Sequence, residues 1–269
     1  MEEASNTVPR ISWLTLRFFR GIVRRYFRRH FHAVRISGIE RFVHPGTPLI
    51  VYGNHSSWWD PMISVLLAES LMKQRRHYAP MDASALQRYR ILQRIGIFPI
   101  VMETARGAAR FLRTGKAILN SGGVLWVTPQ GRFADVRERP LGFKPGLAAL
   151  ASRMEGGCTL LPLAIEYAFW DERMPEALLR IGEPVYIAPE HHTGGNRAAD
   201  TDMPRRIEEA LLQTMEELKT LVVARDSRGF TTLRRGTAGT GGFYSLGERI
   251  VAKLPVSYTH LTLPTIYSV

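Results

Sequence analysis

The chain has 269 residues, 45% of them hydrophobic and 10% aromatic, which suffices for one large core or two small ones and excludes disorder throughout. Lys and Arg number 36 against 24 acidic residues, and the net charge of +12 favours an anionic partner: a membrane lipid, a nucleic acid, or a phosphorylated or CoA-like substrate. The single cysteine, Cys158, excludes an internal disulfide framework and any Cys-rich metal site, fits a reducing compartment, and reads as a small buried residue.

The first residues, "MEEASNTVPR", are acidic where a secretory signal is basic, so no cleaved signal is expected, and no run reaches the roughly 18 apolar residues of a spanning helix. Residues 10–35, "RISWLTLRFFRGIVRRYFRRHFHAVR", hold eight arginines and no acid. Ile11, Leu14, Phe18 and Ile22 recur at helical spacing, as do Leu16, Phe19, Val23 and Phe27, with Arg17, Arg20, Arg24 and Arg28 on another side. Residues 1–36 therefore read as a basic amphipathic helix able to lie in a headgroup layer; packing on the domain and an arm for single-stranded nucleic acid are the alternatives.

Past the turn signals of "SGIERFVHPGTP", short apolar runs alternate with helical patterns. "LIVYG", "HYAPM", "IGIFPIV", "VLWVT", "LLPLAIEY" and "LLRIGEPVYI" read as strands. "PMISVLLAESLMKQ", "ASALQRYRILQR", "TARGAARFLRTGKAILN", "GLAALASRM" and "DMPRRIEEALLQTMEELKTLVVAR" read as helices, which makes an α/β domain with a mostly buried sheet. Residues 226–269 turn Gly- and Thr-rich and read as a loosely ordered tail, whose end, "PVSYTHLTLPTIYSV" (255–269), looks like translated sequencing adapter rather than native sequence. His191 and His192 lack an acidic or Cys partner at ligand spacing and read as loop residues, so no metal site is expected.

The stretch "YGNHSSWWDP" (52–61) places His55 in a strand-to-helix turn, with Asp60 as helix N-cap and Pro61 at the first helical position. The carboxyl end of a strand is where α/β sheets bind ligands. Were His55 and Asp60 on one continuous helix, their side chains would diverge, whereas a turn can fold them together. A carboxylate on one imidazole nitrogen leaves the other free to take a proton, which gives a general base for a hydroxyl without a metal. A plain cap and a plain turn histidine are the alternative. Trp58 and Trp59 can line an acyl channel, meet a membrane interface or pack the core.

Three further blocks follow in order: "GIFPI" (96–100), "TPQGRF" (128–133) with "FKPG" (143–146), and "LLPLAI" (160–165). With "NHSSWWD", the HX4D motif of residues 54–60, they resemble the glycerolipid acyltransferases, the lysophospholipid acyltransferases related to those that make phosphatidic acid. The resemblance spans roughly residues 37–225 and implies one acyltransferase-like domain, a mixed sheet flanked by helices, after the amphipathic helix. It implies that His55 deprotonates the acceptor hydroxyl, that Asp60 orients His55, and that the oxygen attacks an acyl thioester carried on CoA or acyl carrier protein, with no further cofactor. Asn54, Gln130, Gly131, Arg132, Lys144 and Arg106 are the candidate substrate-binding residues. A membrane lipid surface and a lipid acceptor are the expected partners rather than nucleic acid, at the cytoplasmic face of a membrane. Two positions depart from the family pattern: Gln130 stands for its Glu and Phe133 for its Arg, while Val101, Met102 and Glu103 occupy the place of the second block's Arg. Arg106, Arg110, Arg132 and Lys144 are possible substitutes for these phosphate ligands, and Gln130 would suit an acceptor presenting neutral hydroxyls. A catalytically impaired lipid- or nucleic-acid-binding protein of this fold, and a hydrolase using the same pair on water, are the other readings.

Overall fold

A computed structural model describes residues 8–42, 47–188 and 202–236. The helices are α1 (Trp13–His30), α2 (Asp60–Leu71), α3 (Ala83–Arg88), α4 (Ala105–Asn120), α5 (Gly146–Ala151) and α6 (Met203–Ala224). The strands are β1 (Ala33–Ser37), β2 (Leu49–Gly53), β3 (His77–Asp82), β4 (Ile97–Ile100), β5 (Val124–Val127), β6 (Cys158–Ala168), β7 (Glu176–Ile181), β8 (Val185–Ile187) and β9 (Thr231–Arg235). They form one mixed sheet in the order β4-β3-β5-β2-β6-β7-β1-β9, with β8 also on β6. From β4 to β6 all neighbours are parallel, and β6 meets β7 and β8 antiparallel.

Alternation along β2 builds the two halves of the core. Leu49 and Val51 pack toward α1 and α2, whereas Ile50 and Tyr52 pack toward α4, α5 and α6. A central parallel strand is apolar on both faces because helices cover both, and every residue of β2 is buried. The Tyr52 hydroxyl donates to Ile207 O of α6 at 2.9 Å, and burial pushes its pKa up. Cys158 is buried as expected, with its thiol pushed up to about 12 by desolvation.

Four expected elements differ in extent. The N-terminal helix stops at His30, because Phe31 is extended and residues 33–37 pair with β7 and β9. Residues 83–94 split at Tyr89 into α3 and a 3-10 run, Arg90–Ile95, closed by left-handed Gly96. The long strand expected over 178–187 divides at Gly182 and Pro184, so that β7 pairs with the distal half of β6 and β8 with its first residues. Past residue 225, where a loose tail was expected, residues 231–235 add an edge strand to β1, with Arg35 bridging Thr232 and the buried Glu176. His191, His192 and residues 237–269 lie outside the described residues.

Candidate active site

The turn after β2 carries the site. A Cβ at Gly53 would lie 2.6 Å from Leu163 O, so glycine lets β2 end hard against β6. Asn54 is buried and continues the ladder with its side chain, Nδ2 donating to Ile165 O and Oδ1 accepting from Ile165 N, both at 2.9 Å. The main chain is thereby freed to turn at His55. The loop after β5 holds His55 from the other side: its N–H donates to Gln130 Oε1 at 3.1 Å, and its carbonyl accepts from Ala134 N at 2.8 Å.

His55 Nδ1 stands 2.8 Å from Asp60 Oδ2. The same carboxylate oxygen accepts from Ser57 N at 2.9 Å, and Oδ1 accepts from the Tyr167 hydroxyl at 2.6 Å. Asp60 is 2% exposed, so these three donors replace its water. Sequence reading makes Asp60 an N-cap; instead it is the first residue of α2, behind Trp59, and no side chain caps the helix. The carboxylate is turned back toward His55, Ser57 and Tyr167 and is not available to the amides of the first turn. Burial, with the Asp60 charge beside it, raises the Tyr167 pKa, so this hydroxyl stays a donor.

A cavity of about 1600 Å³ opens at this pair and runs along the face of the sheet covered by α1 and α2. His55, Asp60, Gly131, Arg132, Phe133 and Lys144 line one end, Leu16, Phe19, Val65 and Val51 the middle, and His77 with Trp126 the far end. Val124 pairs with both Leu49 and His77, which sets His77 level with the start of β2, about 13 Å along that strand from Gly53 and further from His55. His77 is neutral: burial lowers its pKa to about 4, and its ring nitrogens meet Trp126 Nε1 and Met72 O.

The candidate residues separate into four groups. His55 and Asp60 touch, and Asn54 and Gln130 hold the turn. Gln130 is 3% exposed and does not line the cavity, because its side-chain oxygen is taken up by His55 N–H. Gly131 (φ 66°), Arg132 and Lys144 line the reacting end, with Arg132 paired to Glu138 and Lys144 to Glu103 at 3.2 Å. Arg106 and Arg110 lie on the exposed side of α4, off the cavity wall. The tryptophans diverge: Trp58 is 56% exposed on the cavity, while Trp59 packs against Phe31 and Tyr167 with ring centroids 4.9 and 5.0 Å away. Tyr167 is the residue that sequence reading misses. It sits one turn of strand pleat past Ile165 in the fourth block, but a strand tyrosine carries no mark of its partner. Among the described residues no group of His, Cys, Asp and Glu could hold a metal.

A protein-family model described as Acyltransferase matches residues 33–166, which holds the His–Asp turn, the loop after β5 and most of β6. The crystal structure of the 1-acyl-sn-glycerophosphate (LPA) acyltransferase PlsC from Thermotoga maritima shares the fold, with a TM-score of 0.55 and 18% identity over 76% of this chain and 79% of that one. No curated protein matches the chain in sequence. Residues 33–166 are thus an acyltransferase domain of the matched family, and the chain is an acyltransferase.

Proposed function

We propose that the protein moves a fatty acyl group from an acyl thioester to a hydroxyl of a lipid acceptor at a membrane surface, with His55 as general base. The observation that carries this reading is the 2.8 Å contact between His55 Nδ1 and a buried, triply hydrogen-bonded Asp60, at the mouth of a largely apolar cavity. With Nδ1–H donated to Asp60, Nε2 accepts the proton of the acceptor hydroxyl. The oxygen then attacks the thioester carbonyl carbon, the C–S bond breaks as the tetrahedral intermediate collapses, and the imidazolium returns its proton to the departing thiolate. A thiol of pKa near 8.5 is a good leaving group, so no Ser or Cys nucleophile is needed. The apolar middle of the cavity suits the acyl chain, and acyl-CoA or acyl carrier protein is the donor class, which puts the reaction on the cytoplasmic face.

Membrane contact is supported by α1. Its stripe of Phe19, Val23 and Phe27 faces the domain, whereas Trp13, Leu14, Phe18 and Ile22 are 63, 72, 66 and 45% exposed on another side, with arginines between. Large apolar groups left in water beside cations suit an interfacial helix. Among the described residues no helix is long and apolar enough to cross a membrane.

The test is transfer of a labelled acyl group from acyl-CoA or acyl carrier protein to lipid in vesicles. His55→Ala should lower the rate by at least about 100-fold with folding intact. An unchanged rate would remove the mechanism, and free fatty acid released without acceptor would mark a hydrolase.

A further inference from the structure

We infer that the acceptor is a lipid whose hydroxyl-bearing headgroup is neutral, rather than one with a phosphomonoester beside the reacting hydroxyl; this rests on the acyltransferase reading above. Beside the His55 imidazole stands the phenyl ring of Phe133, 4.3 Å between centroids, tilted by 40° and 58% exposed. An incoming headgroup therefore meets an apolar ring at the point where it must present its hydroxyl. The two cations lining this end each carry a carboxylate of their own, Arg132 with Glu138 and Lys144 with Glu103. Asp60, Asp82 and Glu103 line the same cavity, so the reacting end holds no excess positive charge. A dianionic phosphate placed here meets cations already compensated by carboxylates and gains little net attraction.

Of the remaining cations on the cavity wall, Arg20 stands near enough to His77 to lower its pKa, and Lys73, Arg75 and Arg76 lie in the segment leading into it, so these do not serve such a phosphate. Arg75 and Arg76 directly precede His77, which is level with the start of β2, about 13 Å or more from the turn that carries His55. In lysophosphatidate the phosphate is on the carbon next to the one bearing the hydroxyl, so a phosphate held at that distance leaves the hydroxyl out of reach of the imidazole. Gln130, the residue from which sequence alone suggested a neutral acceptor, is turned to the His55 backbone. The inference stands instead on Phe133 and on the compensated charges around it.

Two acceptors that differ only in the phosphate decide the matter: 1-oleoylglycerol and 1-oleoyl lysophosphatidate, presented in the same neutral micelles to the full chain. Without donor, equilibrium binding should favour 1-oleoylglycerol by about tenfold, and with donor kcat/KM should do the same. Binding is independent of turnover, so absence of transfer to either lipid would count against the acyltransferase mechanism while the binding ratio still reads the headgroup preference. Equal or tighter binding of lysophosphatidate would overturn the inference. The double variant Glu103→Gln/Glu138→Gln releases Lys144 and Arg132 at exposed positions and should shift both ratios toward lysophosphatidate by about fivefold. Ratios that do not move would overturn the charge argument.

Discussion

Asp60 receives three hydrogen bonds from two stretches of chain: from the His55 ring and the Ser57 amide in the turn after β2, and from the Tyr167 hydroxyl at the end of β6. Ser57 and Tyr167 fix the carboxylate so that its remaining direction points at Nδ1, and the substitutions rank accordingly. Asp60→Asn, which presents the wrong group to Nδ1–H, should lower kcat by on the order of 10²- to 10⁴-fold. Tyr167→Phe, which leaves two of the three donors, should lower it by only about tenfold; steady-state kinetics on the folded variants give the order directly. His77 answers a different measurement. Its folded pKa of about 4 lies below the ordinary 6.5 because burial disfavours the charged ring. Its contribution to stability is thus complete above pH 6.5 and lost as the pH falls toward 4, roughly 3 kcal/mol in all. Urea midpoints measured from pH 7 to pH 4.5 should fall in the wild type and fall less in His77→Gln. The His–Asp spacing was legible in sequence, since it needs only a turn between strand and helix. The direction of the Asp60 carboxylate was not, because Asp before Pro reads equally well as a cap.

The element with two uses is α1. Phe27 is 1% exposed and Phe18 66%, although both belong to apolar stripes at helical spacing. Phe27→Ala should cost about 3–5 kcal/mol of stability in denaturant titrations, and Phe18→Ala less than about 0.5. For vesicle binding the order reverses. Replacing Leu14, Phe18 and Ile22 together by Ala should weaken sedimentation with anionic vesicles by roughly 10- to 100-fold without moving the melting temperature. Periodicity showed both stripes and not which one the domain covers, because that depends on α2 and Trp59 from elsewhere in the chain. The same limit applies to β1. "AVRIS" is short and follows an arginine-rich helix, and only pairing with β7, about 140 residues later, makes it a strand. By contrast β2, β5, β6, α4 and α6 were legible because each carries its own period over enough residues.

At the scale of the whole molecule, charge and topology set the terms of surface binding. With a net charge of +12, attachment to anionic vesicles should weaken steeply as salt rises from about 0.1 to about 1 M, where the screening length shrinks from about 10 to about 3 Å. Retention at high salt would show that the apolar stripe of α1 suffices alone. The α/β class and the position of the site at strand ends followed from the alternation of patterns, whereas the closing of the sheet by β9 did not, since residues 231–235 are polar and only partly buried. Aromatic contacts join α1 to the turn that carries His55 and Asp60. Tyr26 bonds Trp59 Nε1 through its hydroxyl at 3.1 Å, Phe31 packs on Trp59 and Tyr167, and Tyr167 holds Asp60. The helix that would anchor the enzyme is thus also a wall of its catalytic machinery. A chain begun after residue 32 should lose turnover on fully water-soluble substrates as well as on lipid.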